Sequence, residues 1–406
     1  MKQCWEQVAG GVTAPRGFRA AAVRCGIRQA EGDDLALLVC DTQGAAAATF
    51  TTNRVAAAPV RWSRRTIRRG KVRAAVVNAG NANACTGARG LRDVEATAAR
   101  AAEVLGLRAE NFLVASTGII GRYLPVEKLL EGLPRAASLL DPSIEAGDRF
   151  ARAIMTTDTV VKQVALRCDL GRGSVTLGGA TKGAGMIAPG MATTLSFLTT
   201  DAAIERPLLA RLLRRAVAQT YNRISIDNHM STNDTVLCLA SGLADAPAVR
   251  DGSKAAERFE AALTELCRIL AVKIVADGEG AKRLVRIEVV GAPTEAAAVA
   301  VGRAIADSPL CKCALHSGDP NWGRFVSAAG YACRRLDEAR TKLYIGEVLA
   351  YAAGAPADAP ISRLAEAMAG REVLLRLDLG LGKAAATVWT CDLSKEYVAI
   401  NADYHT

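Results

Sequence analysis

Lys182–Ala202 reads KGAGMIAPGMATTLSFLTTDA, and its parts ask for different local structures. The approach carries Gly183, Gly185, Pro189 and Gly190, residues that let a backbone bend tightly or come close to another group. Leu195–Thr200 is apolar and threonine-rich, the make-up of a strand. Between them a small residue, Ala192, precedes Thr193 and Thr194. A threonine hydroxyl is a poor nucleophile until a base takes its proton, and the α-amine of the same residue, with an ordinary pKa near ~8, can be that base. An internal threonine gains such an amine only if the chain is cut in front of it. Chemistry alone does not separate Thr193 from Thr194, Thr199 and Thr200.

Outward from this stretch, Leu35–Cys40, Ala74–Asn78, Phe112–Ala115, Ser174–Leu177, Arg283–Val290 and Val373–Leu379 read as strands. Asp93–Leu105, Pro207–Tyr221, Ser253–Val275 and Thr294–Cys311 show apolar residues at helical spacing. Several strands follow one another without an intervening helix, so stacked sheets with helices outside are expected rather than a doubly wound sheet. Pro134–Pro142 and Gly354–Pro360 read as surface linkers. Glycines cluster with Asn, Thr and Ser at Asn78–Gly90, Ser116–Gly121, Gly178–Gly190, Asp277–Gly280 and Asp319–Gly323, and five such segments predict loops converging on a site.

The 406 residues, half of them hydrophobic, exceed what one core usually organises, and two or three core-bearing units are expected. No apolar run reaches membrane-span or signal-peptide length, so a cytoplasmic protein without a membrane partner is expected. The eleven scattered cysteines read as buried reduced thiols, and Cys311 and Cys313 lack a second pair at zinc spacing. The net charge of +10 is densest at Arg61–Arg73, where helical spacing gives a solvated face. Without interleaved aromatics or a recognisable module, this does not read as a nucleic-acid surface.

Other chemistries fail on their motifs. GLGKAA at Gly380–Ala385 mimics a dinucleotide fingerprint, but a strand-like alternation follows where a helix must open. GGATK at Gly178–Lys182 lacks phosphate-loop spacing. With only His229, His316 and His405 and no G-x-S-x-G elbow, a Ser-His-Asp triad is unsupported, and no cluster offers metal ligands.

The Lys182–Ala202 segment resembles the self-cleavage motif of the ornithine acetyltransferases, also called glutamate N-acetyltransferases or bifunctional arginine-biosynthesis proteins. The likeness extends in family order through VTAPRGF (Val12–Phe18), TFTTNRVAAAPV ending at Val60, NAGNANACTG (Asn78–Gly87) and STGIIGRYLP (Ser116–Pro125). It continues through AIMTTDT (Ala153–Thr159), STNDT (Ser231–Thr235), ADGEGA (Ala276–Ala281), DPNWGR (Asp319–Arg324) and EYVAINADY (Glu396–Tyr404). The resemblance implies an αββα-type sandwich over residues 1–282 and a smaller C-terminal α/β domain over 283–406. It implies cleavage between Ala192 and Thr193, giving chains 1–192 and 193–406 that assemble as a heterotetramer.

By the same resemblance Thr193 is the nucleophile, Thr117 and Gly118 form the oxyanion hole, and Thr156 (or Thr157), Lys182, Thr193, Glu279, Asn401 and Thr406 contact substrate. The implied reaction moves acetyl from N2-acetylornithine to glutamate by a ping-pong exchange, with no cofactor and with acetyl-CoA as a further donor in bifunctional members. The residue types suit a zwitterionic amino acid: a cation and hydroxyls for its carboxylate, an anion for its ammonium. The chain departs from the family pattern at Gly190, at Asp227, Asn228 and His229, and at Leu315–Gly318. The competing readings are a self-processed aminopeptidase that uses water as acceptor and a basic nucleotide- or RNA-binding protein.

Overall fold

A computed structural model of the chain describes residues 3–29, 31–188 and 194–403. Three sheets organise it. A six-stranded sheet runs in the order Trp5–Val8, Lys162–Asp169, Ser174–Lys182, Leu195–Thr200, Thr235–Ala240, Ala45–Phe50. A four-stranded sheet runs Phe18–Val23, Leu35–Cys40, Ala74–Asn81, Phe112–Ile119.

Period-two alternation decides how they stack. Leu237 and Leu239 join Leu195 and Phe197 in a core that also holds Ala36, Leu38 and Cys40, so this core lies between the two sheets. Their sequence neighbours Val236, Cys238 and Leu198 face the other way, against Arg206–Gln219 and Lys254–Ala276. Leu35, Leu37 and Val39 likewise turn outward under Gly87–Leu105 and Val126–Ser138. Strands apolar on both faces need cover on both faces, which gives the αββα sandwich expected from the sequence. The Phe150 ring meets Phe197 edge-on at 5.2 Å inside the inter-sheet core, an arrangement worth about 0.5–1.5 kcal/mol beyond its buried area.

The third sheet has seven strands, Ile224–Ser225, Ala384–Cys391, Leu284–Ala292, Glu372–Asp378, Lys342–Ile345, Val348–Ala352 and Ala355–Pro356 in order. Val285, Ile287, Val289, Val373, Leu375 and Leu377 bury one face against the helices Glu295–Asp307, Trp322–Ala332 and Ile361–Ala369. Its first strand, Ile224–Ser225, pairs in parallel with Ala384–Cys391, so a segment from before residue 283 extends this sheet. Among the described residues no helix is long and apolar enough to cross a membrane.

Three sequence expectations change. Thr294–Cys311 is two helices, because Pro309 cannot continue the first; Ser308 is extended and its hydroxyl caps Pro309–Ser317 by accepting the Cys311 N–H. Pro134 lies inside Val126–Ser138 rather than in a linker. The Leu130 carbonyl that it leaves without a helical donor accepts from Arg100 Nε at 3.4 Å. Within Gly354–Pro360, Ala355–Pro356 forms a short edge strand.

Candidate functional site

Strand register builds the site. Leu195–Thr200 runs antiparallel to Ser174–Lys182, with Leu195 opposite Lys182, and parallel to Thr235–Ala240, with Leu195 opposite Thr235. The ends of all three strands thus meet at Lys182, Thr194 and Asp234. The Thr194 N–H donates to Asp234 Oδ1 at 2.8 Å and its hydroxyl to the Lys182 carbonyl at 2.8 Å. Thr199 donates its hydroxyl to the Val12 carbonyl and Thr200 to the Thr176 carbonyl, both at 2.8 Å. Ala192 and Thr193 lie outside the described residues, as do Gly190 and Thr406.

From the other sheet, Phe112–Ile119 presents Thr117 and Gly118 where its pairing with Ala74–Asn81 slips at Asn81. Gly118 has φ of +127°, and a Cβ there would stand 2.3 Å from the Gly80 carbonyl carbon. Only glycine fits such a turn. Asn233 stitches it to the neighbouring sheet: its amide nitrogen donates to Ala82 O at 2.7 Å and to Ser116 O at 2.8 Å. Ser116 in turn donates to Asn78 Oδ1 at 2.6 Å.

Lys182 is buried and donates through Nζ to the Thr156 hydroxyl at 2.6 Å. Burial pushes its pKa down, while Asp158, 3.9 Å away, and Glu279 favour the cation. Asp158 accepts from the Thr156 N–H at 3.0 Å, the Gly183 N–H at 2.7 Å and Lys162 Nζ at 2.6 Å. Burial alone would raise its carboxyl, but Lys182, Lys162 and these donors outweigh it and hold it at about 2. Lys162 also pairs with Asp277, which leaves Lys182 as the cation of this buried network with capacity for a further anion.

An opposing charge comes from Glu279, whose backbone N–H donates to the Ala184 carbonyl at 2.8 Å and whose Oε2 accepts from Asn401 at 2.8 Å. Gly185 lies so near that a Cβ on it would stand 2.4 Å from Glu279 Oε2. Asp227 anchors the same loop by accepting the N–H groups of Met186 at 2.7 Å and Ile187 at 2.9 Å. That grip holds Met186 at φ of +58°, a conformation bulky residues rarely adopt. The Tyr397 hydroxyl donates to Asp227 Oδ2, the oxygen that also accepts from Met186, at 3.2 Å, and burial followed by that carboxylate raises the phenol.

A cavity of about 150 Å³ joins these parts and is lined by Thr117, Gly118, Thr156, Thr157, Lys182, Gly185, Glu279 and Asn401, among others. Four of the five glycine segments reach it; Asp319–Gly323 instead opens the Trp322–Ala332 helix of the seven-stranded sheet. Of the departures, Asp227 grips the Met186 loop and accepts the His229 N–H at 3.1 Å, while Leu315–Gly318 contributes no lining residue. Sequence reasoning assigned no role to Asp158, Asp227, Asn233 or Asp234. For Asp158, Asn233 and Asp234 the signal was present, since MTTDT and STNDT set acids and an amide just ahead of apolar strands.

A second cavity, about 410 Å³, shares Thr156 and is lined by Ile27, Arg28, Gly80, Ile119, Arg122 and Tyr123, with no carboxylate among the described residues of its wall. Arg28 Nε is buried there without a hydrogen-bond partner among the described residues, and the Arg89 guanidinium lies 4.3 Å from the Tyr123 ring centre.

Comparison with known proteins gives this geometry a family. The ArgJ family matches residues 19–406. The arginine biosynthesis bifunctional protein ArgJ of Symbiobacterium thermophilum is 44% identical over 99% of this chain and 100% of its own. That of Streptomyces clavuligerus, ArgJ 1, is 46% identical over 97% and 99%. Among solved structures, the ornithine acetyltransferase of Mycobacterium tuberculosis complexed with ornithine is 42% identical and covers 47% of this chain and 100% of its own, with a TM-score of 0.43. A match that leaves out only the first 18 residues, with relatives this similar end to end, means that the chain belongs to the ArgJ family.

Proposed function

We propose that this enzyme of arginine biosynthesis cuts itself between Ala192 and Thr193 and then carries acetyl from N2-acetylornithine to glutamate on the Thr193 hydroxyl. One observation carries the reading. The Thr117–Gly118 turn, the Lys182 cation and the Glu279 anion line one cavity at the end of the strand that begins two residues after Thr193. Thr194, Thr199 and Thr200 spend their hydroxyls on carbonyl oxygens, which supports Thr193 as the free nucleophile.

The Thr193 hydroxyl attacks the Ala192 carbonyl, the ester is hydrolysed, and the freed α-amine becomes the base. In turnover that amine takes the hydroxyl proton as Thr193 attacks the acetyl carbon of acetylornithine. Donors at Thr117 and Gly118 stabilise the oxyanion, ornithine leaves with the proton, and glutamate takes the acetyl group by the reverse path. Lys182 and Thr156 hold the α-carboxylate, and Glu279, oriented by Asn401, holds the side-chain ammonium of ornithine. Thr157 lines the same cavity and remains the register alternative to Thr156, and Thr406 would complete the site from the C-terminus.

The second cavity has two arginines, an aromatic ring and apolar walls, which suits the phosphate-bearing arm of acetyl-CoA as an alternative donor. The sandwich unit ends near Lys282, and the cleaved chains pair as a heterotetramer. Intact mass tests the core of the proposal. Wild type should give two pieces, 1–192 and 193–406, and make acetylglutamate from acetylornithine; Thr193→Ala should stay whole. An uncut wild type overturns the reading.

A further inference from the structure

Lys162 is fully buried, which a lysine tolerates only when its charge is paired. It opens the Lys162–Asp169 strand opposite Thr181, the residue before Lys182 on the neighbouring strand, so two cations meet where the two strands end. Its Nζ donates to Asp158 Oδ1 at 2.6 Å and to Asp277 Oδ2. Asp277 also accepts the Thr159 N–H at 3.0 Å and the Thr159 hydroxyl, so that carboxylate is held without help from Lys182.

The two oxygens of Asp158 divide their partners. Oδ1 takes Lys162 at 2.6 Å and the Gly183 N–H at 2.7 Å, while Oδ2 takes the Thr156 N–H at 3.0 Å. Oδ2 is the oxygen turned toward Lys182, and at 3.9 Å it lies beyond hydrogen-bond length. Lys182 Nζ donates to the Thr156 hydroxyl at 2.6 Å instead. Without Lys162, Asp158 would have Lys182 as its one neighbouring cation. Closing the gap would then bind Lys182 in an internal salt bridge, in competition with any carboxylate entering the cavity.

We propose that Lys162 is a positioning residue for substrate binding: it holds Asp158 off Lys182 and so keeps the Lys182 ammonium available to the α-carboxylate of the amino-acid substrate. This rests on the reading of Lys182 as the carboxylate anchor. Burial depresses the Lys182 pKa first; of the charged groups facing it, Asp158, Glu279 and Asp234 favour the cation and Lys162 opposes it. Removing Lys162 therefore raises that pKa twice over, by lifting a repulsion and by drawing Asp158 closer. A network that merely loosened would move Asp158 away and lower it.

Steady-state kinetics of the purified enzyme with acetylornithine test this. Lys162→Met should raise KM by about tenfold or more, keep kcat within about threefold of wild type, and move the alkaline limb of kcat/KM upward. Adding Asp158→Asn takes away the competing carboxylate, so that one charge of each sign has gone, and should return KM to within about threefold of wild type. The assignment is overturned if KM in Lys162→Met is unchanged, if kcat falls as far as KM rises, if the limb moves down, or if the double variant binds no better than the single one. Should Lys162→Met not fold, the double variant decides alone: a KM within about threefold of wild type supports the assignment, and a rise of about tenfold overturns it. A wild-type KM in Lys182→Met sinks the anchoring role of Lys182 instead.

Discussion

Lys182 Nζ donates to the Thr156 hydroxyl at 2.6 Å while its nearest carboxylate among the described residues, on Asp158, stays 3.9 Å away. The cation is oriented without being neutralised by a close partner. Its charge-assisted hydrogen bond to a substrate carboxylate is worth about 1.5–3 kcal/mol, so Lys182→Met should lower kcat/KM for acetylornithine by about 10- to 100-fold. Burial depresses the Lys182 pKa, so the cation is lost as pH rises through a value below the ordinary ~10.4. The alkaline limb of kcat/KM should therefore begin early, and Lys182→Arg should move it upward. A limb unchanged in Lys182→Arg would assign that titration elsewhere.

Asp158 links acid stability to the same network. Its folded pKa of about 2 lies below the unfolded ~3.9, so its stabilisation is complete above the unfolded value and disappears as pH falls toward 2. Asp158→Asn leaves Lys182 without the carboxylate at 3.9 Å and Lys162 with Asp277 alone, and should cost about 3–5 kcal/mol at pH 7. Urea unfolding at pH 7 and pH 3 should show that the deficit shrinks at the lower pH.

Gly118→Ala places a Cβ 2.3 Å from the Gly80 carbonyl carbon and displaces the turn. Losing one oxyanion donor typically costs about 10²–10³ in rate, and kcat should fall by that order. Gly330→Ala, where a Cβ meets nothing within 4 Å, should leave kcat unchanged in the same assay.

The final helix, Lys395–Asp403, buries no residue and meets the site through Asn401 on Glu279 and Tyr397 on Asp227. A short affinity tag at the C-terminus should therefore raise KM for acetylornithine several-fold, whereas one at the N-terminus should not. Equal KM values for the two tagged forms would count against a substrate role for Asn401 and Thr406.

The arginine-lined cavity separates the two donors. Replacing both Arg28 and Arg122 with glutamine should raise KM for acetyl-CoA by about tenfold, the order expected for lost charge-assisted contacts to phosphate. KM for acetylornithine should stay within about twofold. Parallel changes for both donors would place the thioester arm elsewhere.

The sequence by itself determined the layers of this protein. In strands such as Leu35–Cys40, residues apolar at every position require cover on both faces, and alternate side chains divide between two cores. Glycine clustering announced the loops at the site, and the family motifs named Thr117, Gly118, Lys182 and Glu279. The tertiary structure decided what pairwise distance controls. It split the helix at Pro309, kept Pro134 helical by giving the Leu130 carbonyl to Arg100, and engaged three of the four competing threonines with carbonyl acceptors. It also gave Asp158, Asp227 and Asp234 different tasks, because the fate of a buried carboxyl depends on which cations and N–H groups other strands bring to it, and sequence spacing does not record that.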